Sequence, residues 1–262
     1  MNFNNILMVG CGKMGSALLT HWMSGGERFT IVDPALESAP ASARLVADAG
    51  ELGDEQFDVV IVAIKPQLVD VVVAQHAHRL AAGGYALSIA AGCSAGRIAK
   101  ALNGAPVVRV MPNLPAAVGK GVSGLYAAGD ADPAQLAHAQ AMMERAGDVV
   151  AVDSEDRLDR VTAVAGSGPG YVFEIARTYV AAAEELGFSH EDARKMVLGT
   201  MAGTLAMAME DGADELGSLR NSVTSKGGTT AAGLAALNGD DELSRLMRAT
   251  LQAAYDRAVE LR

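Results

Sequence analysis

The stretch ILMVGCGKMGSALL, Ile6 to Leu19, limits what this chain can fold into more than any other part of it. An unbroken apolar run ends at Gly10, further glycines follow at Gly12 and Gly15, and an apolar helical pattern begins at once. The order is strand, tight turn, helix. In such a turn the first glycine makes the bend, the second lets a pyrophosphate approach the backbone, and the third lets helix and strand pack closely, while the helix start offers N–H donors. A lone GxGxxG is weak evidence. Here the next apolar run, Phe29–Val32, ends in Asp33, where an acid can bond the 2′-hydroxyl of an adenosine ribose, and the combination points to a dinucleotide.

The same alternation continues. Val59–Ile64, Tyr85–Ile89 and Val107–Val110 read as continuous apolar strands separated by helical patterns, which implies a parallel sheet covered on both faces. VAIKPQ and SIAAG end two of these strands and so belong at the carboxyl edge, where open α/β sheets bind ligands. Lys65 reads equally as a solvated turn residue or as a side chain aimed along the crevice by Pro66.

After about Ala151 the strands stop and helices are expected over 156–186, 189–209, near Leu216, 229–237 and 241–261. Gly187 supplies a helix stop, and Ser189 with Asp192 a capping box. Gly199 and Gly203 give one helix a small-residue stripe. The expected organisation is α/β, with a Rossmann-like doubly wound sheet over 1–153 followed by an all-α domain over 154–262.

Composition excludes several functions. A net charge of -10 argues against a nucleic-acid surface, which needs a basic field to displace counterions. The longest apolar run, DVVIVAIKPQLVDVVVAQ, is interrupted by Lys65, Pro66 and Asp70, so no membrane span is expected, and with no secretory pattern at the start the expected location is cytoplasmic. Cys11 and Cys93 fit neither a disulfide framework nor a metal spacing and read as packing thiols; no metal site is expected. None of the histidines, His21, His76, His78, His138 and His190, falls at a strand end, and the acids Glu184 and Glu185 read as a solvated helix face.

A second glycine-rich loop, SVTSKGGTTAAGLAAL, lies late in the chain. Gly227 and Gly228 precede a helix whose first turn presents unpaired N–H groups and the positive end of its dipole, an arrangement suited to an anion, to which the Ser225 or Thr229 hydroxyls can add bonds. The alternative is a flexible turn with Thr229 as an ordinary N-cap.

GCGKMG, VAIKPQ, SIAAG, RVMPNLP, GSGPGYVF and VTSKGGTT, in that order, resemble the motifs of the pyrroline-5-carboxylate reductases, and they span nearly the whole chain. The resemblance implies that the helical domain is a dimerisation domain related to the C-terminal domains of 6-phosphogluconate dehydrogenases, that NAD(P)H delivers a hydride to a cyclic imine to give proline, and that homodimers can assemble into larger rings. It places cofactor contacts at Gly10, Cys11, Gly12, Lys13 and Met14, and at Ala63, Lys65, Pro66, Ile89, Ala90 and Ala91, which join Val9, Gly15 and Asp33 of the glycine turn and the second strand in the expected cofactor site. It places substrate contacts at Ser225, Gly228, Thr229 and Thr230, with the Thr230 hydroxyl near the imine as the catalytic group. The chain departs from the family pattern at Leu114 for threonine, Gly170 for alanine, Lys226 for proline and Ser222 for asparagine. Two other readings remain: a β-hydroxyacid dehydrogenase with Lys195 as acid/base, and a non-catalytic NAD(P)-sensing module.

Overall fold

The computed structural model describes residues 3–40, 42–210, 212 and 214–262. Its strands are β1 (Asn5–Val9), β2 (Arg28–Val32), β3 (Arg44–Val46), β4 (Phe57–Val62), β5 (Leu80–Ser88), β6 (Val107–Met111), β7 (Gly121–Ala128) and β8 (Gly147–Ala151). They form one sheet in the order β3-β2-β1-β4-β5-β6-β7-β8. Every neighbouring pair is parallel except β6 and β7. The order reverses at β1 and β4, so the crevice lies at their carboxyl ends.

The α-helices are α1 (Lys13–Trp22), α2 (Val69–Val72), α3 (Ala95–Ala101), α4 (Pro133–Glu144), α5 (Glu155–Val161), α6 (Gly168–Glu185), α7 (His190–Ala208), α8 (Leu216–Ser222), α9 (Thr229–Asn238) and α10 (Glu242–Leu261). Chain contacts group them into two compact units, Met1–Pro169 with Ala253–Arg262, and Gly170–Gln252.

In the first unit successive strand residues serve opposite faces, as the pleat requires. Ile6 and Met8 of β1 join Trp22 of α1 and Met142 and Met143 of α4 in one core; Leu7 and Val9 join Val69 of α2 and Ile98 of α3 in the other. Both faces are covered, which is why these strands are apolar throughout.

The sheet is larger than the apolar runs suggest, and its last two strands run against the rest. In GVSGLYAA two glycines and a serine dilute the apolar run of β7, and β8 is an edge strand exposed at Asp148, Val150 and Ala151, so it carries little apolar pattern. The helix expected over 156–186 is also interrupted. A π-helical turn, Thr162–Gly166, separates α5 from α6.

Gly187 has φ +98 and ends α6 as expected. Ser189 caps α7 by accepting from the Asp192 N–H, and its hydroxyl donates to the Asp192 carboxylate rather than the acid reaching back to the cap backbone. Among the described residues no helix is long and apolar enough to cross a membrane.

His76 is 1 % exposed, and its Nδ1 has no hydrogen-bond partner among the described residues. Burial, with Arg79 and His78 adding, lowers its pKa from 6.5 to about 4. Between those values the unfolded chain binds a proton that the folded one refuses, so stability falls as pH falls. From about pH 7 to about pH 5 this residue alone should remove roughly 2 kcal/mol. Urea midpoints of the wild type and His76→Leu at both pH values check this. The variant should lose distinctly less on acidification, and equal losses would show that His76 does not drive it.

Candidate active site

The carboxyl edge of the sheet aligns the candidate cofactor residues in one row. Gly10 N–H donates to Val32 O at 2.9 Å, Ala63 N–H to Val9 O at 2.9 Å and Ile89 N–H to Val62 O at 3.0 Å. Because Val9 pairs with Val32 and Val62, and Val62 with Ser88, the residues just past four strand ends, Asp33, Gly10, Ala63 and Ile89, lie side by side across the switch point.

The three glycines of the first loop differ in what a side chain would meet. Gly10 has φ +82, and a Cβ there would lie 2.5 Å from Ile64 Cγ2 and 2.9 Å from Ala63 O. At Gly15 a Cβ would lie 2.5 Å from Met8 Cε, the close helix-strand contact. Gly12 is the N-cap of α1, and a Cβ there would have no neighbour within 4 Å. Among the described residues nothing fills that space, and α1 opens with neither a side-chain cap nor an acid in its first turn. Open N–H groups, a positive dipole end and a backbone surface without a side chain together fit a pyrophosphate. Val9 and Cys11 are buried beneath the loop, whereas Gly12 and Lys13 are exposed.

Asp33 braces this loop. Its Oδ2 accepts from Cys11 N–H at 2.8 Å and its Oδ1 from Ala35 N–H at 2.9 Å. Burial, with Asp33 beside it, pushes the Cys11 thiol up to about 11, which leaves it protonated and inert. Cys93 is fully buried and its thiol is likewise raised by burial.

Lys65 is exposed and stands as the N-cap of a 3-10 turn that Pro66 opens. Ala63 and Pro66 are half-buried beside it. In the next turn Ile89 is half-buried, Ala90 buried with its N–H on Ser88 Oγ at 3.2 Å, and Ala91 exposed.

Asn113, in the RVMPNLP stretch, has a structural function that the sequence left unassigned. Its Oδ1 accepts from Val122 N–H at 2.9 Å and its Nδ2 donates to Ala165 O at 3.1 Å, so it ties the π-helical turn to β7. The signal was present as an asparagine between two prolines, but its partners are distant in sequence.

In the second unit the 225–230 loop is solvent-facing. Gly227 has φ +72, and Gly228 N–H closes a turn onto Ser225 O at 3.1 Å. A Cβ at Gly228 would lie 2.4 Å from Ser225 Oγ. Gly228, not Thr229, is the N-cap of α9, with no side-chain cap and no acid in the first turn. Thr229 and Thr230 therefore occupy the first two helical positions, both exposed, and the N–H groups there are open to an anion. Lys226 is exposed, Ser222 donates back to Leu219 O at 2.7 Å, and a Cβ at Gly170 would meet nothing within 4 Å. The last of these departures is sterically neutral.

Two further pairs of titratable groups pack together inside the first unit. Tyr85 OH and His138 Nδ1 are 2.8 Å apart, and Arg145 grips Glu27 through both guanidinium nitrogens at 2.9 and 2.7 Å. Burial opposes ionisation of Glu27, but those bonds outweigh it and hold its pKa below the usual range. Lys195 is exposed on α7.

Two family profiles match the chain. One, described as pyrroline-5-carboxylate reductase dimerisation, covers residues 155–261, and one described as NADP oxidoreductase coenzyme F420-dependent covers residues 5–92. The chain is 34% identical over 269 residues to pyrroline-5-carboxylate reductase from Pseudomonas aeruginosa, covering 100% of this chain and 98% of that one. It is 33% identical over 275 residues to the Vibrio alginolyticus protein of the same name, again covering 100% and 98%. Among solved structures, a pyrroline-5-carboxylate reductase from Coxiella burnetii superimposes with a TM-score of 0.90 at 31% identity and 99% coverage of each chain.

Proposed function

The chain belongs to the pyrroline-5-carboxylate reductase family, and from that premise we propose that the carboxyl-edge crevice holds the nicotinamide cofactor and the 225–230 loop the substrate. The enzyme is an NAD(P)H-dependent oxidoreductase that reduces the C=N bond of Δ1-pyrroline-5-carboxylate to give L-proline. The observation that carries the substrate assignment is the start of α9, capped by Gly228 alone and free of acids.

That helix start suits the substrate carboxylate, because charge-assisted bonds from backbone N–H groups need no charged side chain. Ser225 and Thr229 add hydroxyl donors, and Gly228 keeps the approach clear. Thr230 then presents its hydroxyl to the ring nitrogen. A threonine is a poor acid, so its contribution is to orient and stabilise that nitrogen and to pass on a proton from water. In the crevice, the glycine loop from Val9 to Gly15 would hold the pyrophosphate, Asp33 the adenosine ribose, and Ala63, Lys65, Pro66, Ile89, Ala90 and Ala91 the nicotinamide side. The bound cofactor supplies the hydride. The rival readings lack comparable support, since Lys195 is a solvated helix residue and the Thr230 loop is intact.

Oxidation of NADH and NADPH in the presence of Δ1-pyrroline-5-carboxylate tests the assignment, and the same assay tests cofactor choice. NADH should serve at least as well as NADPH. A 2′-phosphate would meet the Asp33 carboxylate with Glu37 four residues on. Arg44 lies at the far end of β3 from the crevice and is paired with Glu55 at 2.8 Å. A kcat/KM more than about tenfold higher with NADPH would overturn the preference.

The working unit is a homodimer through the region after about residue 153, the boundary at which the cofactor domain gives way to the dimerisation domain. In a single copy Leu205, Met207 and Met209 are 53%, 62% and 76% exposed, and a Cβ at Gly199 or Gly203 would meet nothing within 4 Å. Such apolar faces suit an obligate interface. Sedimentation at micromolar protein should give a dimer or a ring of dimers, and a fully active monomer would refute the assignment. We place the enzyme in the cytoplasm.

A further inference from the structure

The turn Ile89–Gly92, assigned above to the cofactor, is held from an unexpected quarter. Gly92 has φ +69, and a Cβ there would lie 2.9 Å from Leu261 O and 3.3 Å from Leu261 Cβ. The last turn of α10 therefore rests directly on the backbone of the turn. Three contacts hold α10 in that place, all within the first unit. Arg262 Nη1 lies 2.9 Å from Oδ2 of Asp159, a residue 3 % exposed on α5. Tyr255 OH donates to Asp156, whose other oxygen accepts from Arg160 Nε at 2.9 Å. The Arg160 guanidinium also lies over the Tyr255 ring, 5.1 Å from its centroid. From the other side, Glu155 Oε1 accepts from Ala95 N–H at 2.8 Å and from Arg109 Nη1 at 2.7 Å, which fixes the chain leaving the turn.

Ile89 and Ala90 anchor the start of this turn in the cores, but Ala91 and Gly92 have little or no side chain with which to hold the rest of its shape. That part is shaped by its neighbours: Ile89 N–H is held by Val62 O of the adjacent β4 at 3.0 Å, and the last turn of α10 rests on Gly92. The buried Asp159 carboxylate needs a cation, since an uncompensated buried charge is costly, and Arg262, next to the last turn of α10, is the cation that reaches it.

We propose that Arg262 and Asp159 are positioning residues for the nicotinamide cofactor: their ion pair seats the end of α10 on the Ile89–Gly92 turn and so sets the wall against which the cofactor binds. This rests on the assignment of Ile89, Ala90 and Ala91 to the cofactor.

Fluorescence titration of the dimeric enzyme with NADH, alongside steady-state kinetics, tests the proposal in Arg262→Ala, Asp159→Asn, the double variant and Arg262→Lys. Arg262 is partly exposed, so no apolar packing is lost with it, and the double variant removes both charges rather than leaving Asp159 unpaired. Loosening the turn should raise the Kd for NADH by about 5- to 50-fold in either single variant. The double variant should be no worse than the singles, because both remove one coupling. Arg262→Lys should recover most of the affinity, and kcat at saturating cofactor and the KM for Δ1-pyrroline-5-carboxylate should stay within about twofold of wild type. An unchanged Kd in Arg262→Ala would overturn the proposal. So would a fall in kcat and melting temperature together with a rise in both KM values, which would mark the pair as a general brace. Absence of NADH binding by the wild type would instead refute the cofactor assignment itself.

Discussion

Replacing Thr230 with alanine is expected to lower kcat by about 10- to 1,000-fold, the effect of losing one hydrogen bond made chiefly in the transition state. Thr230 is the second residue of α9 and is exposed, so the change removes a hydroxyl and a methyl group without opening a cavity. Alanine is also the better helix former, and stability should move by no more than about 0.5 kcal/mol. Substrate affinity should change little, because the carboxylate site proposed above is the backbone one residue earlier. Gly228→Val should fail in the opposite manner. A Cβ there lies 2.4 Å from Ser225 Oγ, so it displaces that hydroxyl and stands in the path of the carboxylate, raising KM and weakening inhibition by proline. Stopped-flow kinetics on both variants separate the two roles, and an unchanged kcat in Thr230→Ala would remove Thr230 from the chemistry.

Gly12→Val is expected to weaken NAD(P)H binding by at least about 100-fold, equivalent to roughly 3 kcal/mol of lost bonds to a charged phosphate. The protein itself has room for the side chain, with no atom within 4 Å of the new Cβ and φ of -69. The fold should lose only about 1 kcal/mol, through the poorer N-cap. Gly10→Ala is the control in which folding and binding fail together, since its Cβ meets Ile64 and the Ala63 carbonyl and its φ of +82 is hostile to an L side chain. Calorimetric titration with chemical denaturation checks both. Comparable affinity in Gly12→Val and wild type would mean that the pyrophosphate does not approach this loop.

Local rules made the central sheet and its glycine-rich edge readable, because a strand buried on both faces must be apolar throughout and a tight strand-to-helix turn favours glycine. The same rules failed where structure is set by distant partners. β7 is diluted by Gly121 and Gly124, where added Cβ atoms would strike Ala116, and Val161 with Leu158, so its composition answers to neighbours and not to strand propensity. At the break between α5 and α6, Asn113 Nδ2 donates to the Ala165 carbonyl from across the fold. At the candidate site, the tight turn at Gly10 and the close helix-strand packing at Gly15 could be read in advance because each is a backbone requirement, and Gly12 keeps open the space that the pyrophosphate reading needs. The bond from Cys11 N–H to Asp33 could not, for it joins two loops 22 residues apart. Nor could the seating of Leu261 on Gly92, which depends on where a distant helix ends.

The Asp33 contact also bears on attempts to redesign this enzyme. Its carboxylate supports the phosphate loop through Cys11 N–H and its own turn through Ala35 N–H, while it faces the position assigned to the adenosine ribose. Exchanging it for a smaller neutral residue to admit a 2′-phosphate would take away the repulsive charge and the strut in one step. A change of coenzyme in this scaffold therefore calls for a second substitution that restores an acceptor for the Cys11 amide, and libraries that vary position 33 alone would sample mostly enzymes that have lost grip on both coenzymes.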